Sequence, residues 1–144
     1  MVKRKTLDKR YIYLRDGQKC FYCGKALKPG QMTLDHYQPR SEGGTEDYFN
    51  LVSCCRLCNK YKKNKIPVDK ERIHLELFHR AWRDKRIIWA VKGIGRKESQ
   101  AIVSQITAVH CIKGESIARG DKITLYIRNK VIIRMDGDRK GLQL

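Results

Sequence analysis

A chain of 144 residues with 41% hydrophobic content has room for one domain, or a small metal-stapled domain with an appendage, and is too apolar for wholesale disorder. Its 32 Lys and Arg against 15 Asp and Glu give a formal charge of +17, which calls for a polyanionic partner and sets aside cationic ones. No apolar run approaches the ~20 residues of a membrane span, and the basic opening MVKRK has no apolar signal core behind it, so the expectation is a cytoplasmic chain with no membrane contact.

In chain order, residues 6–15 predict a short helix with Leu7, Tyr11 and Leu14 on one face, ended by Asp16-Gly17. Lys3, Arg4, Lys5, Lys9 and Arg10 would gather on its polar side, either solvated or against phosphate. Cys20 and Cys23 form a Cys-x-x-Cys pair followed by Gly24, and Cys55 and Cys58 form a second. Two such pairs, a few tens of residues apart, are the sequence sign of a tetrahedral four-thiolate zinc site. With four sulfurs on the ion there is no open coordination position, so this Zn2+ would be structural. A disulfide or redox pair is the lesser alternative in a basic chain without a signal peptide. Cys54 and Cys111 are left over, and Cys54 reads as a small packed residue.

Between the pairs, residues 32–34 predict a strand running into Asp35-His36. The loop 39–47 reverses at Gly43-Gly44, and residues 48–52 carry Asn50 back toward the strand. A helix over 56–63 presents Asn59, with Lys60, Lys62, Lys63 and Lys65 as a basic cluster; these and Arg40 are candidate nucleic-acid contacts.

The series Asp-His-x-x-Pro-Arg-Ser-x-Gly-Gly, Asn-Leu-Val and Cys-x-x-Cys-Asn resembles the HNH endonuclease family, with its ββα-metal core. The resemblance covers about the first half of the chain and extends upstream to Arg15-Asp16-Gly17. It implies that Asp35 is a ligand of a catalytic divalent ion, His36 the general base, Asn50 a brace for the loop and Asn59 the second ligand. Asn59 stands where the family often has histidine, and the Asp-His-Asn-Asn set resembles the HNH domain of RNA-guided CRISPR nucleases. The residue types suit that chemistry. An imidazole with an unperturbed pKa of ~6.5 can take a proton from water near neutrality. A carboxylate and an amide carbonyl are hard oxygen donors, which favour Mg2+ or Mn2+ over zinc. Asp35 and His36, as strand neighbours, point to opposite faces, and reach one phosphate only if the strand bends.

Beyond Ile66-Pro67, a long helix is predicted over 69–91, with Ile73, Leu77, Phe78, Ala81, Trp82, Ile88 and Trp89 as its apolar stripe. His74 and His79, five apart, are poorly spaced for one metal and read as structural or exposed. Gly93-Ile94-Gly95 resembles the phosphate-holding turn of helix-hairpin-helix modules, although a glycine break between helix and sheet is the plainer reading. Period-two patterning predicts strands over 102–112, 122–127 and 131–135, a hairpin turn at Arg128-Asn129-Lys130 and a loop over 114–121.

The expected fold is α+β: a ββα-metal core with a four-cysteine structural zinc site, a long following helix and a small C-terminal antiparallel β lobe. The expected units are a nuclease core over 1–67, a connecting helix over 68–95 and a basic lobe over 96–144, the last two segments lying beyond the resemblance. The expected activity is that of a metal-dependent HNH endonuclease on DNA, double-stranded DNA first, encoded by a prokaryote or phage. A non-catalytic zinc module that binds nucleic acid and an RNA-directed nuclease are the alternatives. A second copy of the chain, or a phage or defence protein, is the candidate protein partner.

Overall fold

The structure is a computed structural model and describes residues 7–137. The arm bearing Lys3, Arg4 and Lys5, and the expected helix start at Thr6, lie outside the described residues. Helix α1 (Lys9–Arg15) begins at Asp8, whose carboxylate accepts from the Tyr11 amide at 3.2 Å, and it ends at Asp16 and the left-handed Gly17. Its inward face corrects the expectation. Ile12 and Arg15 are buried, while Leu14 is 50% exposed. The reason is Arg15, which turns inward to donate to the carbonyls of Tyr48 at 2.8 Å and Leu51 at 2.6 Å while pairing with Asp16. Asp16 in turn accepts from the Ser53 amide at 2.8 Å, so this buried ion pair pins α1 to the strand behind the site.

Strand β1 (Thr33–His36) pairs antiparallel with β2 (Leu51–Cys54), from Thr33 opposite Cys54 to His36 opposite Leu51. Helix α2 (Arg56–Lys62) follows directly, and its first turn is capped by Cys55. Helix α3 (Lys70–Arg83) buries Ile73, His74, Leu77, Phe78 and Ala81.

The helix expected over 69–91 is two elements. It stops at Arg83, Lys85 takes a positive φ of 60°, and Ile88–Trp89 form strand β3. Apolar spacing alone could not separate these, because Ile88 and Trp89 fall in helical register with Leu77 and Phe78 while their β-branched and aromatic character suits a strand. Residue 102 likewise opens no strand: helix α4 (Arg96–Ser104) runs through it, and β4 (Ala108–Ile112) begins later. The expected loop over 114–121 is largely strand β5 (Glu115–Arg119). Small inward residues, Ser116 and Ala118, hid its alternation. Strands β6 (Ile123–Arg128) and β7 (Val131–Gly137) fall where patterning put them. The turn between them, Asn129-Lys130 with both φ positive, is the two-residue hairpin geometry that follows a right-handed twist.

The sheet order is β3-β7-β6-β5-β4, antiparallel throughout except that β3 joins β7 parallel. One cluster of buried apolar side chains runs from Ile12 and Phe49 through Phe78 on α3 to Ile102, Leu125 and Ile132. The β1–β2 pair and the five-stranded sheet are therefore packed about one helix. No helix among the described residues is long and apolar enough to cross a membrane.

Candidate active site and metal centre

Four thiols converge first. Gly24 at φ 76° closes a tight turn in which the Gly24 amide donates to the Cys20 carbonyl and the Cys20 amide to that of Lys25, both at 2.9 Å, setting Cys20 and Cys23 side by side. Cys55 and Cys58 occupy the N-cap and first turn of α2, where the Cys58 amide donates to the Cys55 sulfur at 3.4 Å. The four sulfurs lie within 4.8 Å of one another, and those of Cys23 and Cys55 are 3.9 Å apart. Tetrahedral thiolates at ~2.3 Å from one ion stand ~3.8 Å apart, so a small inward movement of these sulfurs closes them on one metal ion. Burial works against ionisation of Cys20, but hydrogen bonds from the Cys23, Cys55 and Tyr22 amides prevail and lower its thiol to about 6. Cys54 is outside the cluster, fully buried, with its sulfur on the Cys55 carbonyl at 3.3 Å. Cys111 is buried elsewhere, in the five-stranded sheet.

Asp35 and His36 sit at the end of β1 and face different neighbours. Asp35 is buried. Its Oδ2 accepts from the Tyr22 hydroxyl and lies 3.1 Å from Lys62 Nζ, which also donates to the His36 carbonyl at 2.9 Å. Burial, then the hydrogen bond to Asp35, push the Tyr22 phenol above its ordinary range, so it remains a donor. His36 is half-buried, with Nε2 2.7 Å from Glu46 Oε1. Arg40 Nε lies 2.6 Å from the same carboxylate oxygen and 3.3 Å from His36 Nε2. Two donors cannot bond each other, so Arg40 and His36 meet through Glu46. Burial opposes the charge on Glu46, yet the bonds from His36 and Arg40 hold its carboxyl below the usual range.

Asn59, one helical turn before Lys62, donates from Nδ2 to Thr33 Oγ1 at 3.2 Å. Thr33 and Asp35 share a face of β1, so Asn59 and Asp35 line the same seam between β1 and α2. The Lys62 ammonium balances the Asp35 charge at that seam.

Asn50 is fully buried with both polar ends engaged. Its Oδ1 accepts from the Gln38 amide at 2.8 Å and from His74 Nε2 at 2.7 Å, and its Nδ2 donates to the carbonyls of Gln38 at 3.1 Å and Thr45 at 2.9 Å. The loop 38–45 is thereby tied at both ends. Gly43 reverses it at φ 89°, and Gly44 passes so close to Gln38 that a β-carbon there would stand 1.8 Å from its carbonyl oxygen. The far side of this loop is held by the C-terminal sheet. The Gly114 amide donates to the Gly43 carbonyl at 3.1 Å and Gln38 Nε2 to the Cys111 carbonyl at 2.9 Å. The buried Asp47 accepts from Ser116 Oγ at 2.6 Å and from the Lys130 amide at 2.9 Å.

Of the basic residues singled out, Arg40, Lys60, Lys63 and Lys65 are exposed, whereas Lys62 leaves that cluster and turns into the seam, with its side chain 8% exposed. Sequence reasoning missed Tyr22, Glu46 and the Asn50 partner His74. Only His74 carried a signal, as an imidazole on the apolar stripe of α3 three and four residues from Leu77 and Phe78.

Residues 20–73 match a family model described as HNH endonuclease. A segment of 51 residues is 37% identical to the CRISPR-associated endonuclease Cas9 of Corynebacterium diphtheriae, covering 35% of this chain and 5% of that protein. The chain thus spans a small fraction of that relative's length. No solved structure matches it.

Proposed function

We propose that this chain, whose residues 20–73 match the HNH endonuclease family model, is a metal-dependent endonuclease that nicks double-stranded DNA. The observation that carries this reading is that the end of one strand presents a buried carboxylate, Asp35, followed by a histidine held by a carboxylate of its own, Glu46.

Donation from His36 Nε2 to Glu46 fixes the proton on that nitrogen and leaves Nδ1 as the base. His36 takes a proton from a water whose oxygen attacks phosphorus. The bond from phosphorus to the 3′-oxygen breaks with its electron pair on that oxygen, which is protonated from solvent. The products are a 5′-phosphate and a 3′-hydroxyl, with no covalent intermediate. A divalent ion, Mg2+ or Mn2+, held by the oxygens of Asp35 and Asn59 would supply positive charge to the crowded phosphate. Lys62 adds a fixed cation beside Asp35, Asn50 with His74 holds the loop that presents Glu46, and Arg40, Lys60, Lys63 and Lys65 face the phosphate backbone. Zn2+ is the ion that suits the four thiols, in a structural role. One such centre cuts one strand, so a double-strand break needs two copies or two visits.

A supercoiled-plasmid assay tests this. Wild type nicks in the presence of Mg2+; His36→Ala loses two to four orders of magnitude in rate while still binding DNA. Glu46→Gln, which keeps the shape and removes the charge, slows nicking by one to two orders of magnitude. Undiminished cutting by His36→Ala removes the base assignment. Cleavage of an RNA duplex but not of DNA, measured side by side, transfers the substrate to the ribose sugar.

A further inference from the structure

A cavity of about 810 Å³ lies between the end of α3, β3 and the start of α4, away from the residues described above. Its size falls within the ~300–1,000 Å³ typical of small-ligand sites. Both tryptophans of the chain, Trp82 and Trp89, are in its wall. They meet edge to face, with centroids 6.3 Å apart and planes at 76°, and both are half-buried, so aromatic surface is left in the wall. Arg83, Lys85 and Arg96 complete the rim, all exposed, and no carboxylate is among the lining residues. Glu98 belongs to the same first turn of α4 but is not part of the wall.

The start of α4 adds to the positive potential. Its first intrahelical bond runs from the Ser99 amide to the Gly95 carbonyl at 2.9 Å, so the amides of residues 96 and 97 have no acceptor within the helix. Gly95 at the N-cap offers no side-chain cap, and the space where its β-carbon would stand is open. Aromatic surface beside cations, with acids excluded, is complementary to a base joined to a phosphate. Bases in a duplex are stacked on one another and do not offer a free face, whereas an unpaired base does.

We infer that this cavity holds an unpaired nucleotide of a DNA strand, its base against the two indoles and its phosphate toward Arg83 and Arg96. The inference rests on the chain being a nuclease of DNA, and it adds that the substrate carries a single-stranded or unstacked segment. Helix α3 sets the reach. Its N-cap Asp69 accepts from the hydroxyl of Tyr37, the neighbour of His36, and the cavity is at its far end. Its 14 residues span about 21 Å, roughly six nucleotide steps of a strand in B-form spacing. The unpaired segment therefore lies several nucleotides from the scissile bond.

Because both tryptophans line the cavity, intrinsic fluorescence reports on it directly. The full chain carrying His36→Ala is titrated, in magnesium-free buffer, with a 12-residue oligothymidylate and with a blunt duplex of the same length. The single strand is expected to quench the emission strongly and the duplex weakly. Arg83→Glu with Arg96→Glu, at exposed positions, weakens single-strand binding at least tenfold, and Trp89→Ala does so about tenfold while Trp89→Phe retains most of the affinity. Equal quenching by duplex and single strand, or unchanged single-strand affinity in the double variant, overturns the inference. Nicking by the wild-type chain without strand-specific quenching sinks the cavity alone. Strand-specific quenching without nicking removes the nuclease reading and leaves the cavity.

Discussion

His74 is an imidazole buried on the apolar face of α3 and committed by one nitrogen to Asn50, while its Nδ1 has no hydrogen-bond partner among the described residues. Burial, then the nearby charges of Lys70 and His110, lower its pKa to about 4, so the ring is neutral in the folded chain. The sign of the linkage follows. The unfolded ring titrates near ~6.5 and binds a proton that the folded one refuses. Its contribution to stability is complete above about 6.5 and is lost as pH falls toward about 4, a loss on the order of 3 kcal/mol. Thermal melts across that window should show Tm falling by about 10 °C on this account, and His74→Gln should flatten the slope. Asp47 works in the other direction, since burial raises its carboxyl despite the bonds from Ser116, Thr45 and Lys130. Its contribution is therefore strongest in acid and declines as pH rises. The two chains share Asp47, so the difference between their slopes isolates His74; identical slopes would refute a neutral, loop-holding histidine.

At the scale of elements, α2 is the piece whose formation and chemistry are hardest to separate. It has seven residues, too short to persist alone, and its large apolar side chains, Leu57 and Tyr61, are exposed. It is held by Cys55 and Cys58 in the thiol cluster at one end and by Asn59 and Lys62 along β1. Cys20→Ser should release the bound metal, measured as one equivalent lost by elemental analysis, and reduce helical signal in circular dichroism. Cys54→Ser, though only one position from Cys55, should keep the metal, because its sulfur is outside the cluster. Equal metal loss in both variants would reassign the fourth ligand. The same scale shows what pattern reading can and cannot do. The two Cys-x-x-Cys pairs, β1 and α2 were legible because cysteine spacing and the Gly43-Gly44 reversal constrain them locally, whereas the segment expected over 48–52 is a 3-10 turn at Tyr48–Asn50 followed by β2. The break between α3 and β3 was not, because helical spacing continues across it while the decision was made by the edge of β7.

The whole molecule couples the C-terminal sheet to the loop that carries Arg40 and Glu46. Asp47, Gln38 and Gly43 are each bonded to that sheet, and Phe49 meets Phe78 edge to face at 5.7 Å in the shared core. A chain shortened to residues 1–95 keeps all four cysteines and Asp35, His36, Asn50 and Asn59, yet it strips the cover from α3 and the partners from Asp47. Such a fragment should melt without a cooperative transition and nick at less than a hundredth of the full rate. A fragment that melts cooperatively and nicks normally would show the sheet to be an accessory.

What residue order alone settled was the chemistry that depends on near neighbours: which sulfurs can share an ion, which dipeptide brings a carboxylate next to an imidazole, and where glycine permits a reversal. Roles that depend on distant partners came only with the tertiary structure. Glu46 reaches His36 across a loop, Lys62 leaves a run of solvated lysines for the Asp35 carboxylate, and His74 finds Asn50 from another helix. The physical reason is burial. A charge or a polar atom withdrawn from water takes whichever partner the packing puts within hydrogen-bond reach, and packing is a property of the folded chain rather than of any window of its sequence.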